Sequence, residues 1–235
     1  MTRETEKELA MPNTSMKVLV VGATGGSGRA TVEALLAQGH RVTAFARHAD
    51  HMHALSDRMK SVRVVNGDAM NQGDVERAVR GQDAVIVALG IAENPIRVRL
   101  FGSVGTPMNV RSVGTRNVIA AMRQHGVRKL LVQSSFGVGE TRQQLTFAER
   151  LFFKLLLKPQ MADTEIQERE VRASGLDWVI AQPVHLTDLA DTKEAYASLQ
   201  GEVRGRQISR GRVGRFLAEV LCSEQYVGRS VALSG

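Results

Sequence analysis

Residues 17–28 hold the feature that most restricts what this chain can fold into. Lys17–Val21 is a short β-branched run, and it ends in Gly22-Ala23-Thr24-Gly25-Gly26-Ser27-Gly28. Arg29–Gln38 then reads as a helix, with Val32, Leu35 and Leu36 on one face and Gly39 as its stop signal. A glycine motif carries meaning when it joins a strand to a helix in this way. The first glycine makes a tight turn off the strand. Bare backbone lets a pyrophosphate come close, and the third glycine lets the helix pack on the sheet. The helix N-terminus then offers free N–H groups and the positive end of its dipole to phosphate. Gly22, Gly25 and Gly28 follow a GxxGxxG spacing rather than GxGxxG. The rival reading is a glycine-rich turn with no ligand.

The rest of the chain repeats the alternation. Strands are expected at Arg41–Ala46, Ser61–Val65, Ala84–Leu89, Lys129–Gln133, Trp178–Gln182 and Arg229–Leu233. Helices are expected at Asp74–Arg80, Val104–His125, Asp163–Ser174 and Gly214–Cys222, with a helix-like stretch at Arg142–Lys158. Val110, Val113, Val118 and Ala121 form the inward face of the longest one. Strands alternating with helices imply right-handed crossovers and a parallel sheet. The uninterrupted apolar run Ala84–Leu89 fits a sheet buried on both faces. The expected fold is therefore α/β, a doubly wound parallel sheet in a single domain over residues 16–235, with a small C-terminal substrate-side region. Residues 1–15 read as a flexible polar leader.

The end of the second strand narrows the ligand. A site for NAD usually places a carboxylate there to hold the ribose hydroxyls. Here Val42-Thr43-Ala44-Phe45-Ala46 ends in Arg47. A guanidinium pairs bidentately with phosphate, so NADP(H) is expected in preference to NAD(H). His48 and His51 follow and are expected to be solvated.

Composition excludes several classes. The chain has 235 residues, 43% of them hydrophobic, which is enough for a sizeable core. Cys222 is the only cysteine, so no intramolecular disulfide or cysteine metal cluster can form; on the late helix it reads as a small buried hydrophobe. No apolar run reaches the ~18 residues of a spanning helix. With no secretory pattern at the N-terminus, the expected location is cytoplasmic. The net charge is +7, carried mainly by 24 arginines dispersed from Arg3 to Arg229. With 4% aromatic residues there is little base-stacking surface, so nucleic acid is not expected. No metal site is expected, because His48, His51 and His53 lack ligand spacing. A hydrolase is also disfavoured, since Ser134 and Ser135 sit in no G-x-S-x-G elbow. The apolar stretch Leu145–Lys158 fits a core helix, a lid, a self-association surface or a membrane-surface contact.

The phosphate loop with Arg29, Gly67-Asp68 after the third strand, Ala88-Leu89-Gly90 after the fourth and Ser174-Gly175-Leu176-Asp177-Trp178 before the sixth resemble the atypical short-chain dehydrogenase/reductases. Within that group the chain is most similar to the biliverdin reductase B/flavin reductase type and to NmrA-like proteins. The resemblance implies a Rossmann-type fold. It also implies that Thr24, Gly26 and Ser27 touch the pyrophosphate, Arg47 the 2′-phosphate, and Asp68 and Ala69 the adenine. Leu89 and Gly90 would line the ribose and nicotinamide path. Ser134 and Ser135 would lie beside the nicotinamide, Gln182, Pro183 and Val184 would fix its carboxamide by backbone contacts, and His185 would approach the substrate.

One departure bears on the chemistry. Ordinary members use a Tyr-xxx-Lys pair, but Gln160 and Thr164 stand at those places here, and the two tyrosines, Tyr196 and Tyr226, lie far downstream. Flavin-reductase-type relatives do without the tyrosine, passing hydride directly to a stacked acceptor while solvent supplies the proton. The expected activity is NADPH-dependent reduction of a flat conjugated small molecule (a flavin, quinone or tetrapyrrole) by a monomer or homodimer. The alternative is a non-catalytic NAD(P)-binding sensor or regulatory protein of NmrA-like type. Isomerase or epimerase action on a nucleotide sugar is a weaker third reading.

Overall fold

The computed structural model describes residues 15–54, 56–91, 105–152, 155 and 157–235. The leader up to residue 14 and the expected helix start at Val104 lie outside the described residues. The strands are β1 (Lys17–Val21), β2 (Arg41–Ala46), β3 (Arg63–Asn66), β4 (Ala84–Val87), β5 (Lys129–Gln133), β6 (Asp177–Pro183), β7 (His185–Thr187), β8 (Tyr196–Ser198), β9 (Gln207–Ser209) and β10 (Arg229–Ser234). The helices are α1 (Gly26–Ala37), α2 (Gln72–Val79), α3 (Val110–His125), α4 (Phe147–Phe152), α5 (Lys158–Arg172) and α6 (Arg210–Val220).

Eight strands form one sheet in the order β3-β2-β1-β4-β5-β6-β10-β8. All its pairings are parallel except that of β10 with the edge strand β8. β1 is the pivot, with Val21 beside Phe45 of β2 and beside Val87 of β4. The chain moves outward in one direction through β2 and β3, then returns to cross to β4. This reversal opens a crevice at the carboxyl ends of β1 and β4.

Alternation along β1 divides the core in two. Val18 and Val20 pack in one cluster with Val32 and Leu35 of α1 and Val213 and Leu217 of α6. Leu19 and Val21 point the other way, into a cluster with Val75 and Val79 of α2 and Val118 and Met122 of α3. A sheet buried on both faces needs apolar residues at successive positions, which is why β1 and β4 carry no outward polar face. On one face α1 and α6 run side by side in the same direction, Gly26 near Arg210 and Ala30 near Gly214.

The elements up to β6 follow the sequence expectation within a few residues, and helix caps explain several boundaries. Asn71 accepts from the Asp74 amide at 3.0 Å and starts α2 before Asp74. Ser209 accepts from the Arg212 amide at 3.3 Å and starts α6 at Arg210, ahead of the expected Gly214. Pro159 in its first turn suits the early start of α5 at Lys158.

Three expectations are corrected. The segment Arg142–Lys158 is not one helix: a 3₁₀ turn at Gly139–Gln144 and the short α4 interrupt it. Leu145 is buried, but Phe147, Leu151, Phe152 and Leu155 are exposed, so this stretch is not a core helix over its described residues. Cys222 is exposed rather than buried, because α6 ends at Val220 and the chain turns outward there. The three-residue strands β7, β8 and β9 carried no readable periodicity; β7 and β9 form a small separate parallel sheet. No helix among the described residues is long and apolar enough to cross a membrane.

The α1–α6 contact gives a stability test. A Cβ at Gly214 would stand 2.6 Å from the Ala30 carbonyl carbon and oxygen. Gly214→Ala should therefore push the helices apart and cost about 1–3 kcal/mol. In urea unfolding, the midpoint should fall with little change in slope.

Candidate functional site

The crevice at the β1–β4 switch is a cleft of about 460 Å³. Gly22, Thr24, Gly25, Arg47, Asp68, Ala69, Leu89 and Gly90 line it, so eight of the expected cofactor residues meet in one wall. Gly22 turns at φ +86°, and its amide donates to the Phe45 carbonyl at 2.9 Å. A Cβ at Gly28 would stand 2.9 Å from the Cα of Ala23 and closer still to the Gly22 carbonyl. Only glycine lets α1 start this close to the strand it leaves.

The first turn of α1 is left open for an anion. Gly25 is its N-cap and supplies no side-chain acceptor, and no acidic residue occupies the first turn. The first-turn amides and the positive end of the helix are thus not neutralised from within the helix. Gly26, Ser27 and Gly28 belong to this turn. Arg29 lines the cleft one residue further on. These features fit a dinucleotide pyrophosphate.

Arg47 lies at the end of β2 and is exposed. Its guanidinium donates to the Gly105 carbonyl and, at 3.2 Å, to the Thr106 hydroxyl. It thereby ties the β2 side of the cleft to the segment before α3. His48 and His51, expected to be solvated, are both exposed; they stack with centroids 5.6 Å apart and line the cleft. Asp68 is exposed, and its carboxylate accepts from the Met70 amide at 2.9 Å. Its own amide donates to Asp74, which together with Arg77 holds the Asp74 carboxyl below the usual carboxylate range. Asn117 donates to the Ala69 carbonyl at 2.9 Å, which fixes the turn that carries Asp68.

The other expected site residues do not line this cleft. Ser134 is buried, and its hydroxyl donates to Glu168 of α5. The fully buried Glu168 also accepts from Gln182 at 2.8 Å and from Arg172 at 2.9 Å. The Gln182 side chain thus belongs to a packed network under the carboxyl ends of β5 and β6. Pro183 accepts from the Phe136 amide, and the Val184 amide donates to Leu233. Ser135 is half-buried, and His185 is exposed at the start of β7. Gln160 and Thr164 lie one turn apart on α5, where the buried Thr164 hydroxyl donates to the Gln160 carbonyl.

Sequence reasoning missed two supporting residues. Asp163 of α5 is buried and accepts from the Arg111 and Ser112 amides, at 3.0 and 3.3 Å, and from the Ser112 hydroxyl. It caps α3 from another helix, a contact without a local signal. Arg111 packs against Gly90, and its Nη1 is enclosed with no hydrogen-bond partner among the described residues. Burial pulls its pKa down while Asp163 pulls it up. Removal of the cap is directly measurable. Asp163→Ala should cost about 1–2 kcal/mol, the scale of a lost helix cap, and hydrogen exchange at the first turn of α3 should accelerate relative to its centre.

Comparison with known proteins agrees with this fold. The sequence pattern of the NAD(P)H-binding family matches residues 22–224. An uncharacterized chloroplastic protein of Arabidopsis thaliana is 30% identical over 212 residues, 89% of this chain and 73% of the relative. A 2-alkyl-3-oxoalkanoate reductase of Stenotrophomonas maltophilia is 34% identical over 120 residues, 51% of this chain but only 33% of the reductase. Among solved structures, the anaerobillin reductase ChuY from Escherichia coli O157:H7 superposes with a TM-score of 0.74 at 24% identity, covering 93% of this chain and 96% of its own. A short-chain dehydrogenase/reductase from Veillonella parvula in complex with NADP gives 0.75 at 17% identity, covering 94% of each chain. These two structures share the Rossmann fold described above.

Proposed function

This chain belongs to the NAD(P)H-binding family, and we propose that it is an NADPH-dependent oxidoreductase that passes hydride to a flat conjugated acceptor of flavin, quinone or tetrapyrrole type. The observation that carries the reading is Arg47 in the cleft wall at the end of β2, the place where a carboxylate would select NAD. The reductase name of the matched Stenotrophomonas relative is in keeping with it.

The chain's own residues act by positioning. In this reading the amides of Gly25, Gly26 and Ser27 hold the pyrophosphate and Thr24 adds a hydroxyl. Arg47 holds the 2′-phosphate, Asp68 and Ala69 border the adenine, and Leu89 and Gly90 border the ribose and nicotinamide path. Bound NADPH supplies a hydride, and solvent supplies the proton that completes the two-electron reduction. Ser135 is assigned beside the nicotinamide, the backbone of Gln182, Pro183 and Val184 to its carboxamide, and His185 to the acceptor side. Ser134 acts beneath them by anchoring β5 to Glu168. A conjugated acceptor suits a site in which Gln160 and Thr164 replace the usual proton-donating pair, because its reduction needs precise stacking more than a side-chain acid.

The second reading is a sensor that binds NADP(H) without turnover. The Thr164 hydroxyl, bonded to its own helix, favours it as much as it favours direct hydride transfer. Absorbance of the reduced nicotinamide, followed with a panel of flavins, quinones and bilins, separates the two. Consumption with any acceptor supports the reductase, tight binding with none supports the sensor, and no binding of either nicotinamide cofactor defeats both. Calorimetry checks the phosphate assignment: Arg47→Glu should weaken NADP binding by ~1.5–3 kcal/mol, the scale of a charge-assisted bond, and should not weaken NAD binding; unaffected NADP affinity overturns the assignment of Arg47.

A further inference from the structure

A second cavity, of about 600 Å³, opens beside the chain that leaves β5. Its volume lies in the range that holds small-molecule ligands. Gly137, four residues past β5, forms one edge, and the first turns of α5 form another. It is therefore on the carboxyl-end side of the sheet, where ligands of parallel sheets sit. Leu145 and Met161 give it apolar wall.

Its charge is not balanced. Arg142, Arg150 and Lys158 line it against a single carboxylate, Glu165. Arg142 pairs with Glu165 at 2.8 Å, which neutralises both. The Arg150 guanidinium instead donates to the carbonyls of Leu145 and Gln143, both at 3.1 Å, so it is held in place with no carboxylate partner among the described residues. Lys158 is exposed at the start of α5 and has no hydrogen bond or ion pair among the described residues. A fixed guanidinium and a free ammonium thus share an apolar-walled cavity. Apolar walls lower the local dielectric and strengthen the attraction of these charges for an anion.

We propose that this cavity binds the acceptor by an oxyanion, a carboxylate or phosphate attached to its apolar body, with Lys158 and Arg150 as the recognising groups. The inference rests on the reductase reading above, which supplies the reason for a second ligand near β5. It adds that the acceptor is an anion and that its charged group lies on the α5 side.

Matched ligand pairs test it. FMN against riboflavin changes only a phosphate, and biliverdin against its dimethyl ester changes only carboxylates. Binding to the whole protein is followed by ligand absorbance or fluorescence, with NADPH titrated separately. The expected result is that at least one charged member binds roughly tenfold more tightly than its neutral partner. Which pair shows the preference identifies the oxyanion as phosphate or carboxylate. Lys158→Glu should erase that preference and leave the NADPH affinity as it was. Arg41→Glu, at the opposite end of the sheet, makes the same change in net charge and should preserve the preference. Equal binding of both members of both pairs overturns the proposal. So does a preference that survives Lys158→Glu or disappears equally with Arg41→Glu. If the charged preference and its loss in Lys158→Glu are seen but NADPH does not bind, the anion site stands and the cofactor reading is the one that fails.

Discussion

Everything at the candidate site depends on how closely α1 approaches the end of β1. The contact is backbone against backbone: Gly28 sits on Ala23 and the Gly22 carbonyl with no room for a side chain. That approach aims the uncapped first turn of α1 at the crevice between β1 and β4. It also sets α1 flat on the sheet, where Val32 and Leu35 bury against Val18 and Val20. One steric permission therefore serves two ends. It closes the core on one face, and it leaves a positive helix end exposed to a phosphate group.

The two halves of the carboxyl-end surface are built differently. The β1–β4 half is open, with backbone amides, Arg47, His48 and His51 around a cleft. The β5–β6 half is braced from below. The buried Glu168 gathers the buried Ser134 and Gln182 and the half-buried Arg172, each partner supplying a donor to the carboxylate. A buried carboxylate is tolerable only when its oxygens are paired in this way. The brace joins α5 to both β5 and β6, so the loops leaving those strands rest on a firm base. Asp163, five residues earlier on α5, does the same for the start of α3. Helix α5 is thus a buttress for two elements that border the site.

Much of this was legible in residue order. The strand–glycine–helix unit, the alternation up to β6 and the replacement of a carboxylate by Arg47 are local patterns, and eight of the expected cofactor residues do line one cleft. Ser134 is expected beside the nicotinamide, but its hydroxyl faces Glu168, since a strand-end side chain points to one face or the other according to register, and α5 covers that face. Cys222 was misplaced by an error of two residues at a helix end, which rotates a side chain from the core face into solvent. The short strands β7, β8 and β9 span too few residues for any period to show.

By itself the sequence determined the local conformations, because glycine spacing, β-branched runs and capping residues act over a few neighbours. From these follow the fold class, the phosphate-binding turn and the charge placed at the end of β2. Only the tertiary structure decided which distant groups meet. Asp163 reaches the start of α3 across 51 residues of chain, and Glu168 reaches Ser134 across 34. Likewise Arg142, Arg150 and Lys158 become one electropositive cavity only because α5 folds back over the exit of β5. Such pairings are set by the packing of whole elements, and no spacing along the chain records them.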